Sequence, residues 1–443
     1  MQKTLNAPIA SNTAMLHHPS KLFVETTTRC NLSCVMCVKQ ADSCGISEGD
    51  MLPETFNTLT PTFPYLKALI LNGIGEPLLN PYLESFICKA KKQMPETGWV
   101  GFQTNGLQLT NLKALSLVDA GLDRICISID ALSPELFSKV RAGGEIDNIH
   151  NAFSAINAAK KQCQRDDMQM GVEFVAMRRN LHELPAALEW SAQHGATFAI
   201  VTHALPYDNQ HADEMAIGIC SDQAIALFKR YRQYAVVAQL DLSTYFHNRF
   251  STYNIRSPQQ QQVVDLVDAM KEEAEKQGIL IDLKKLLTFN LEHFEELVET
   301  FEKVEVVART NGLDLRLPSV ALKEQRKCDF VEEGSAFVSW RGELSPCYFL
   351  WHRYQCYASG WKQKIQPKVF GDVTQNDILA IWNSEKFRAF RQEVLEYDFP
   401  SCASCYLAPC DYVESECFEQ DCHIKNVPCG ACLWCTGVFQ CLR

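Results

Sequence analysis

Six short apolar runs alternate with helical stretches between Lys21 and about Ala238, and this alternation limits the fold more than any other feature. The runs are LFVET (22–26), LKALILNG (66–73), WVGFQT (99–104), RICISID (124–130), GVEFVAM (171–177) and TFAIVT (197–202). LESFICKAKKQM (83–94), NLKALSLVDAG (111–121) and LPAALEWSAQHG (184–195) have helical spacing, and the last two close on glycine. Near-continuous apolar strands separated by helices form a parallel sheet with helical crossovers, because both sheet faces are covered. The expected class is therefore α/β, as a partial (β/α)6 barrel. Such a fold gathers its chemistry at the C-terminal ends of the strands.

The chain then changes character. STYNIRSPQQQQ (251–262) reads as a polar loop or boundary. VVDLVDAMKEEAEKQG (263–278) and LEHFEELVETFEKVEVVARTNG (291–312) carry amphipathic helical stripes, each followed by an expected short strand, ILIDL (279–283) and LDLRL (313–317). From Lys327 onwards the chain is cysteine-rich with little regular pattern. The expected organisation is a barrel over 15–238, a bridge over 239–325 and a small domain, held by metal, over 326–443. A net charge of −11 argues against nucleic acid or a membrane surface as partner. No apolar run reaches the roughly 18 residues that cross a bilayer. The first 20 residues hold no apolar signal core, so a cytoplasmic location is expected.

The 20 cysteines are unevenly placed. Cys44, Cys88, Cys126, Cys163 and Cys220 stand singly and read as small buried hydrophobes. Twelve lie between Cys328 and the C-terminus, a clustering that in a reducing compartment favours metal over disulfides. Three stand in TTRCNLSCVMC (27–37), in the loop after the first strand. Three thiolates are one too few for a closed zinc site or an ordinary cluster. A [4Fe–4S] cubane held by Cys30, Cys34 and Cys37 would keep one iron open for a small ligand. A zinc site with a distant fourth ligand is the other reading of this spacing.

Cys30-x3-Cys34-x2-Cys37 after a first strand resembles the signature of the radical SAM superfamily. That resemblance implies that the open iron takes the amino and carboxylate groups of S-adenosylmethionine. Reductive cleavage then yields a 5′-deoxyadenosyl radical that abstracts a substrate hydrogen. NGIGEPLLNP (72–81) resembles the family's Gly-Gly-Glu-Pro motif, with Ile74 where a glycine often stands. Gly75, Glu76 and Pro77 carry the match. Met36, Thr104, Asn105, Ser128 and Asp130 are further expected cofactor contacts, and Arg141 is expected to pair with the methionine carboxylate.

The second cysteine field resembles the SPASM extension, which holds two auxiliary [4Fe–4S] clusters. Cys328-x13-Gly342-x4-Cys347 fits its first half. Cys402-x2-Cys405-x4-Cys410, followed by Cys417, departs from the second half, and Cys432-x2-Cys435-x5-Cys441 also fits. Expected metal ligands therefore include Cys328, Cys347, Cys402, Cys405, Cys410, Cys417, Cys422, Cys429, Cys432, Cys435 and Cys441, and their division between clusters stays open. Paired zinc ribbons are the alternative. CHIKNVPCGACLWCTGVFQCL (422–442) is similar to the end of metalloenzyme maturases linked with tungsten- or molybdenum-dependent aldehyde oxidoreductases.

The resemblance implies an enzyme that matures a protein, a peptide or a cofactor precursor, with reduced ferredoxin or flavodoxin as electron donor. A peptide or sulfatase-type maturase is the alternative enzyme. An iron–sulfur carrier or scaffold is the alternative outside enzymes. His352, beside CYFLW, reads as a packed residue.

Overall fold

A computed structural model describes residues 13–41, 45–251, 255–357, 362–405, 410, 415 and 417–443. Cys44 and parts of the 402–417 segment lie outside these residues. The six expected strands are present as β1 (Lys21–Val24), β2 (Ala68–Ile70), β3 (Trp99–Thr104), β4 (Arg124–Ser128), β5 (Gln169–Ala176) and β6 (Phe198–His203). They run parallel in chain order. Helices α1 (Leu83–Lys91), α2 (Asn111–Asp119), α3 (Pro134–Val140), α4 (Ile146–Cys163) and α5 (Leu184–Gln193) connect them. Alternation sets the two faces. Leu22 and Val24 pack outward with the helices, while Phe23, Ile70, Cys126 and Phe198 belong to a separate inner cluster.

The sheet extends beyond these six strands. β7 (Asp314–Arg316), expected within LDLRL, pairs with β6. On the other side β8 (Ser335–Val338), from the cysteine-rich region, pairs with β1 in parallel. β9 (Glu343–Ser345) and β10 (Gly371–Asp372) continue the sheet antiparallel. The cysteine-rich region is thus more regular than its sequence implies, because SAFV is a fully buried apolar strand.

Two further expectations need correction. ILIDL is not a strand. Asp282 caps a short helix over Leu283–Leu287, and Ile279 and Ile281 pack on a helical cluster instead of joining the sheet. The glutamine run is not loop. α6 (Asp222–Val237) is followed by α7 (Pro258–Gln277), which starts ahead of that run. Ser257 and Gln260 form a capping box there with Pro258 at the first helical position. Val263, Val267 and Met270 of α7 pack with Ile225 and Phe228 of α6. α8 (Leu291–Asn311) instead joins the main core through Leu297, Phe301 and Val304.

The ends of the described chain are tied in. Arg391 of α9 (Glu385–Leu395) is fully buried and donates to Ala14 O at 2.8 Å and Trp382 O at 3.0 Å. Residues 438–443 enter the barrel. Gln440 N donates to Thr202 Oγ1 at 3.1 Å, Arg316 Nη1 donates to Arg443 O at 2.7 Å, and Cys441 and Leu442 join the inner cluster. Among the described residues no helix is long and apolar enough to cross a membrane.

Candidate active site

The cysteine loop leaves the end of β1 and is held on both sides. Ser33–Cys34 pairs antiparallel with Arg141–Ala142, which follows α3. Cys37 N donates to Cys34 O at 3.0 Å, closing the turn between two of the thiols. Burial raises the Cys34 thiol, and it pushes Cys37 up to about 11, with the neighbouring cysteines adding to both. Buried thiols that oppose one another's ionisation are a donor set that a cationic metal centre satisfies. All three cysteines line one cavity of about 770 Å³, and the residue types present fit a cluster with a small ligand at an open iron.

The glycine-rich loop after β2 forms the facing wall. Gly75 N donates to Thr27 O at 3.2 Å and Glu76 N to Arg29 O at 2.8 Å, so this loop is strapped to the cysteine loop through backbone. A Cβ at Gly75 would lie 2.5 Å from both Thr27 O and Arg29 O, which explains the glycine. The Glu76 carboxylate accepts from Thr104 Oγ1 and Asn105 N at 2.7 Å and from Leu78 N at 3.1 Å. Burial pushes this carboxyl up, and those donors pull it back. Thr104 and Asn105 thus orient Glu76, and Asn105 Nδ2 also lies 4.0 Å from Cys30 Sγ.

Met36, Gly75, Glu76, Pro77, Thr104, Asn105, Ser128 and Arg141 all line the cavity with the three cysteines. Asp130 does not. It is fully buried, accepts from Val175 N at 2.7 Å and pairs with Arg141 Nε at 2.6 Å. Arg141 Nη1 lies 3.9 Å from Cys34 Sγ. Burial opposes the charge of Arg141, but Asp130, Cys34 and Glu173 hold it more firmly protonated than usual. The guanidinium expected on a carboxylate ligand is therefore already braced from behind.

Sequence reasoning missed Glu173, Asn72 and Gln103, which also line this cavity. Gln103 N donates to Asn72 Oδ1 at 2.6 Å, and the Gln103 side chain bonds Glu173. Burial pushes the Glu173 carboxyl up to about 7. The available signal was an acid inside the otherwise apolar GVEFVAM.

The structure brings the later cysteines into two fields. Cys429 is raised by burial and then by Cys328, Cys347 and Cys435, and Cys432 joins them beside Cys435. Burial together with Cys422, Cys410 and Cys405 pushes Cys402 up to about 12. A cation stands near each field. The hydrogen bond with Cys432, and then Arg326, lower Cys435 against burial in the first, and Lys285 lies against the second, donating to Ala403 O at 3.3 Å. Cys417 is exposed, and Cys441, pushed up to about 12 by burial, lies in the inner barrel cluster against which Cys328 and Cys347 also pack.

Residues 24–190 match the Radical SAM superfamily, and residues 328–406 match SPASM, an iron–sulfur cluster-binding domain. The chain is a radical SAM enzyme with a C-terminal SPASM domain, and its cofactors are [4Fe–4S] clusters and S-adenosylmethionine. Over 430 residues it is 27% identical to the tungsten-containing aldehyde ferredoxin oxidoreductase cofactor-modifying protein of Pyrococcus furiosus, covering 95% of this chain and 96% of that one. It is 31% identical over 182 residues to a probable GTP 3′,8-cyclase of Methanocaldococcus jannaschii, covering 41% of this chain and little more than half, 57%, of the cyclase. Among solved structures, SuiB of Streptococcus suis bound to S-adenosylmethionine aligns with a TM-score of 0.49 at 9% identity, over 88% of this chain and 70% of that chain. Native anSMEcpe with bound AdoMet aligns with a TM-score of 0.44 at 14% identity, over 84% of this chain and 83% of that chain.

Proposed function

We propose that this enzyme modifies the cofactor of a metal-dependent oxidoreductase of the tungsten or molybdenum aldehyde type. The observation that carries the reading is the end-to-end similarity to a cofactor-modifying protein, which spans barrel, bridge and both cysteine fields. In this reading Cys30, Cys34 and Cys37 hold the catalytic cluster. When bound, that cluster and S-adenosylmethionine supply a 5′-deoxyadenosyl radical for hydrogen abstraction. Gly75 admits the ligand close to backbone, and the Glu76 carboxylate suits its ammonium group. Arg141, braced by Asp130, faces the thiol loop and suits a carboxylate. Ser128 completes the wall at the end of β4.

The two cysteine fields divide the auxiliary ligands. Cys402, Cys405, Cys410 and Cys422 form one set. Cys328 and Cys347, with thiols from Cys429, Cys432 and Cys435, form the other. Reduced ferredoxin or flavodoxin supplies the electron, and cysteines held as metal ligands suit a reducing cytoplasm.

The test is co-expression with a tungsten-dependent aldehyde oxidoreductase. Cofactor extracted from that oxidoreductase should differ in mass between cells carrying the wild-type enzyme and cells carrying Cys30→Ala. Identical masses, with equal oxidoreductase activity, would sink the reading.

A further inference from the structure

The second cysteine field opens on a cavity of about 640 Å³. Three of its thiols, Cys402, Cys410 and Cys422, line that cavity. One acidic side chain, Asp421, stands among them on the same wall, while Phe349, Leu350 and Ile365 make its apolar side. Neither the cysteine spacing nor the family match points to this aspartate.

Asp421 is only 4% exposed, and its two oxygens differ. Oδ1 accepts from His423 N at 2.8 Å and from Lys425 N at 3.0 Å, so it holds the turn that carries Cys422. Oδ2 is buried without a hydrogen-bond partner. The nearby ammonium does not serve it, because Lys425 Nζ turns to Glu396 at 3.1 Å and Asp398 at 3.4 Å. A buried anionic oxygen left in this state is costly. A metal centre offsets that cost, and carboxylate oxygen is an established kind of iron ligand. The carboxylate also lies close enough to act on the thiols. Burial, and then Asp421, raise Cys422. Four thiols already match the four irons of a cubane, so Asp421 is a fifth donor. Its place in the chain says which iron it meets. Asp421 and Cys422 are consecutive and line one cavity, and the cysteine is the exposed member of the two.

We infer that Asp421 Oδ2 is a ligand of this field's cluster, on the same iron as Cys422. That iron then carries a carboxylate and a thiolate, and it keeps one when the other is removed. The inference rests on the division of the later cysteines into two fields, and it does not depend on which substrate the enzyme takes.

The test uses the full chain, reconstituted anaerobically with iron and sulfide. Wild type should hold about 12 irons. Cys422→Ala should keep them, because the carboxylate still holds that iron. Asp421→Asn should keep them too. Its amide oxygen can still accept from His423 N and Lys425 N, and Cys422 remains. The two changes together should lose about four irons. Asp421→Cys, combined with Cys422→Ala, should restore them, since a thiolate can ligate iron but holds the turn poorly. The dithionite-reduced Asp421→Asn single variant should show an altered electron paramagnetic resonance signal from one cluster. Loss of about four irons in Cys422→Ala alone, full iron in the Asp421→Asn, Cys422→Ala pair, or a wild-type signal in Asp421→Asn would each overturn the inference. Full iron in Cys402→Ala would overturn it in a different way, by removing the division of fields on which it stands. None of these readouts involves the oxidoreductase, so an unchanged cofactor mass in the co-expression experiment counts against the proposed function alone.

Discussion

His352 Nε2 lies 2.9 Å from Glu25 Oε1, and this pair ties the cysteine-rich domain to the strand that feeds the cysteine loop. Glu25 is fully buried, and its carboxylate also accepts from Ile74 N at 3.2 Å and Trp340 N at 3.4 Å. One carboxylate therefore meets the end of β1, the glycine-rich loop and the turn after β8. His352 is more than the packed residue its sequence context implies. His352→Ala takes one hydrogen bond from a buried carboxylate that keeps its two backbone donors, a loss of about 1.5–3 kcal/mol. The unfolding midpoint of the reconstituted variant should fall, and adding Glu25→Gln should recover part of the loss. An unchanged midpoint in the single variant would remove this pair from the account.

The glycine-rich loop yields a second expectation. An alanine Cβ at Gly75 meets two backbone carbonyls at 2.5 Å, and neither can rotate away as a side chain could. Gly75→Ala should push the loop off the Thr27–Arg29 segment and misplace Glu76. Loss of S-adenosylmethionine affinity by at least tenfold should follow at normal iron content, since the cysteines lie on another loop. Equilibrium dialysis with labelled S-adenosylmethionine measures it, and wild-type affinity would contradict the fit.

Iron content separates the cysteine fields. Three cubanes hold about 12 irons per chain. Cys347→Ala and Cys402→Ala touch different fields, so each should remove about four irons, and the pair about eight. Cys441→Ser should remove none, because Cys429, Cys432 and Cys435 already bring thiols to Cys328 and Cys347, with which Cys441 shares the inner cluster. A loss of iron in Cys441→Ser would return that residue to a ligand set.

The barrel was readable because its signals are local. Apolar runs of six or so residues, helical stripes and glycine stops occupy contiguous stretches, and so does the Cys30–Cys37 loop. Gly75, Glu76 and Arg141 came through short motifs at strand ends. Glu25, Glu173 and the cavity wall of Tyr207, Trp351 and Trp434 did not. Glu25 meets His352 across more than 300 residues of chain, and only the pairing of β1 with β8 brings them together. Tyr207, Trp351 and Trp434 share a wall because the C-terminal segment enters the barrel, and nothing in VFQCLR announces that path. ILIDL misled for a related reason. Its alternation suits a strand, but its partners are helices, and periodicity alone does not say which neighbour covers an apolar side chain.

Glu173 gives the last expectation, and its sign follows from burial. An ordinary glutamate loses its proton near about pH 4.3. Burial beside Asp130 pushes Glu173 up to about 7 in the folded chain, against the opposing pull of Gln103 and Arg141. Between those two values the folded protein keeps a proton that the unfolded chain releases. Stability therefore falls as pH rises through this window, with no cost below about pH 4 and the full cost above about pH 7. Glu173→Gln keeps the shape, can still accept from Gln103 and removes the titration. The variant should exceed wild type by about 1–3 kcal/mol at pH 8, because the wall of an open cavity softens the full burial penalty. Its advantage should shrink steadily as pH is lowered toward 5. Denaturant unfolding of the reconstituted proteins at four pH values checks both the size and the trend. Curves that stay parallel across that range would mean that Glu173 titrates as it does in water, and the carboxyl at the cavity wall would then be an ordinary surface acid.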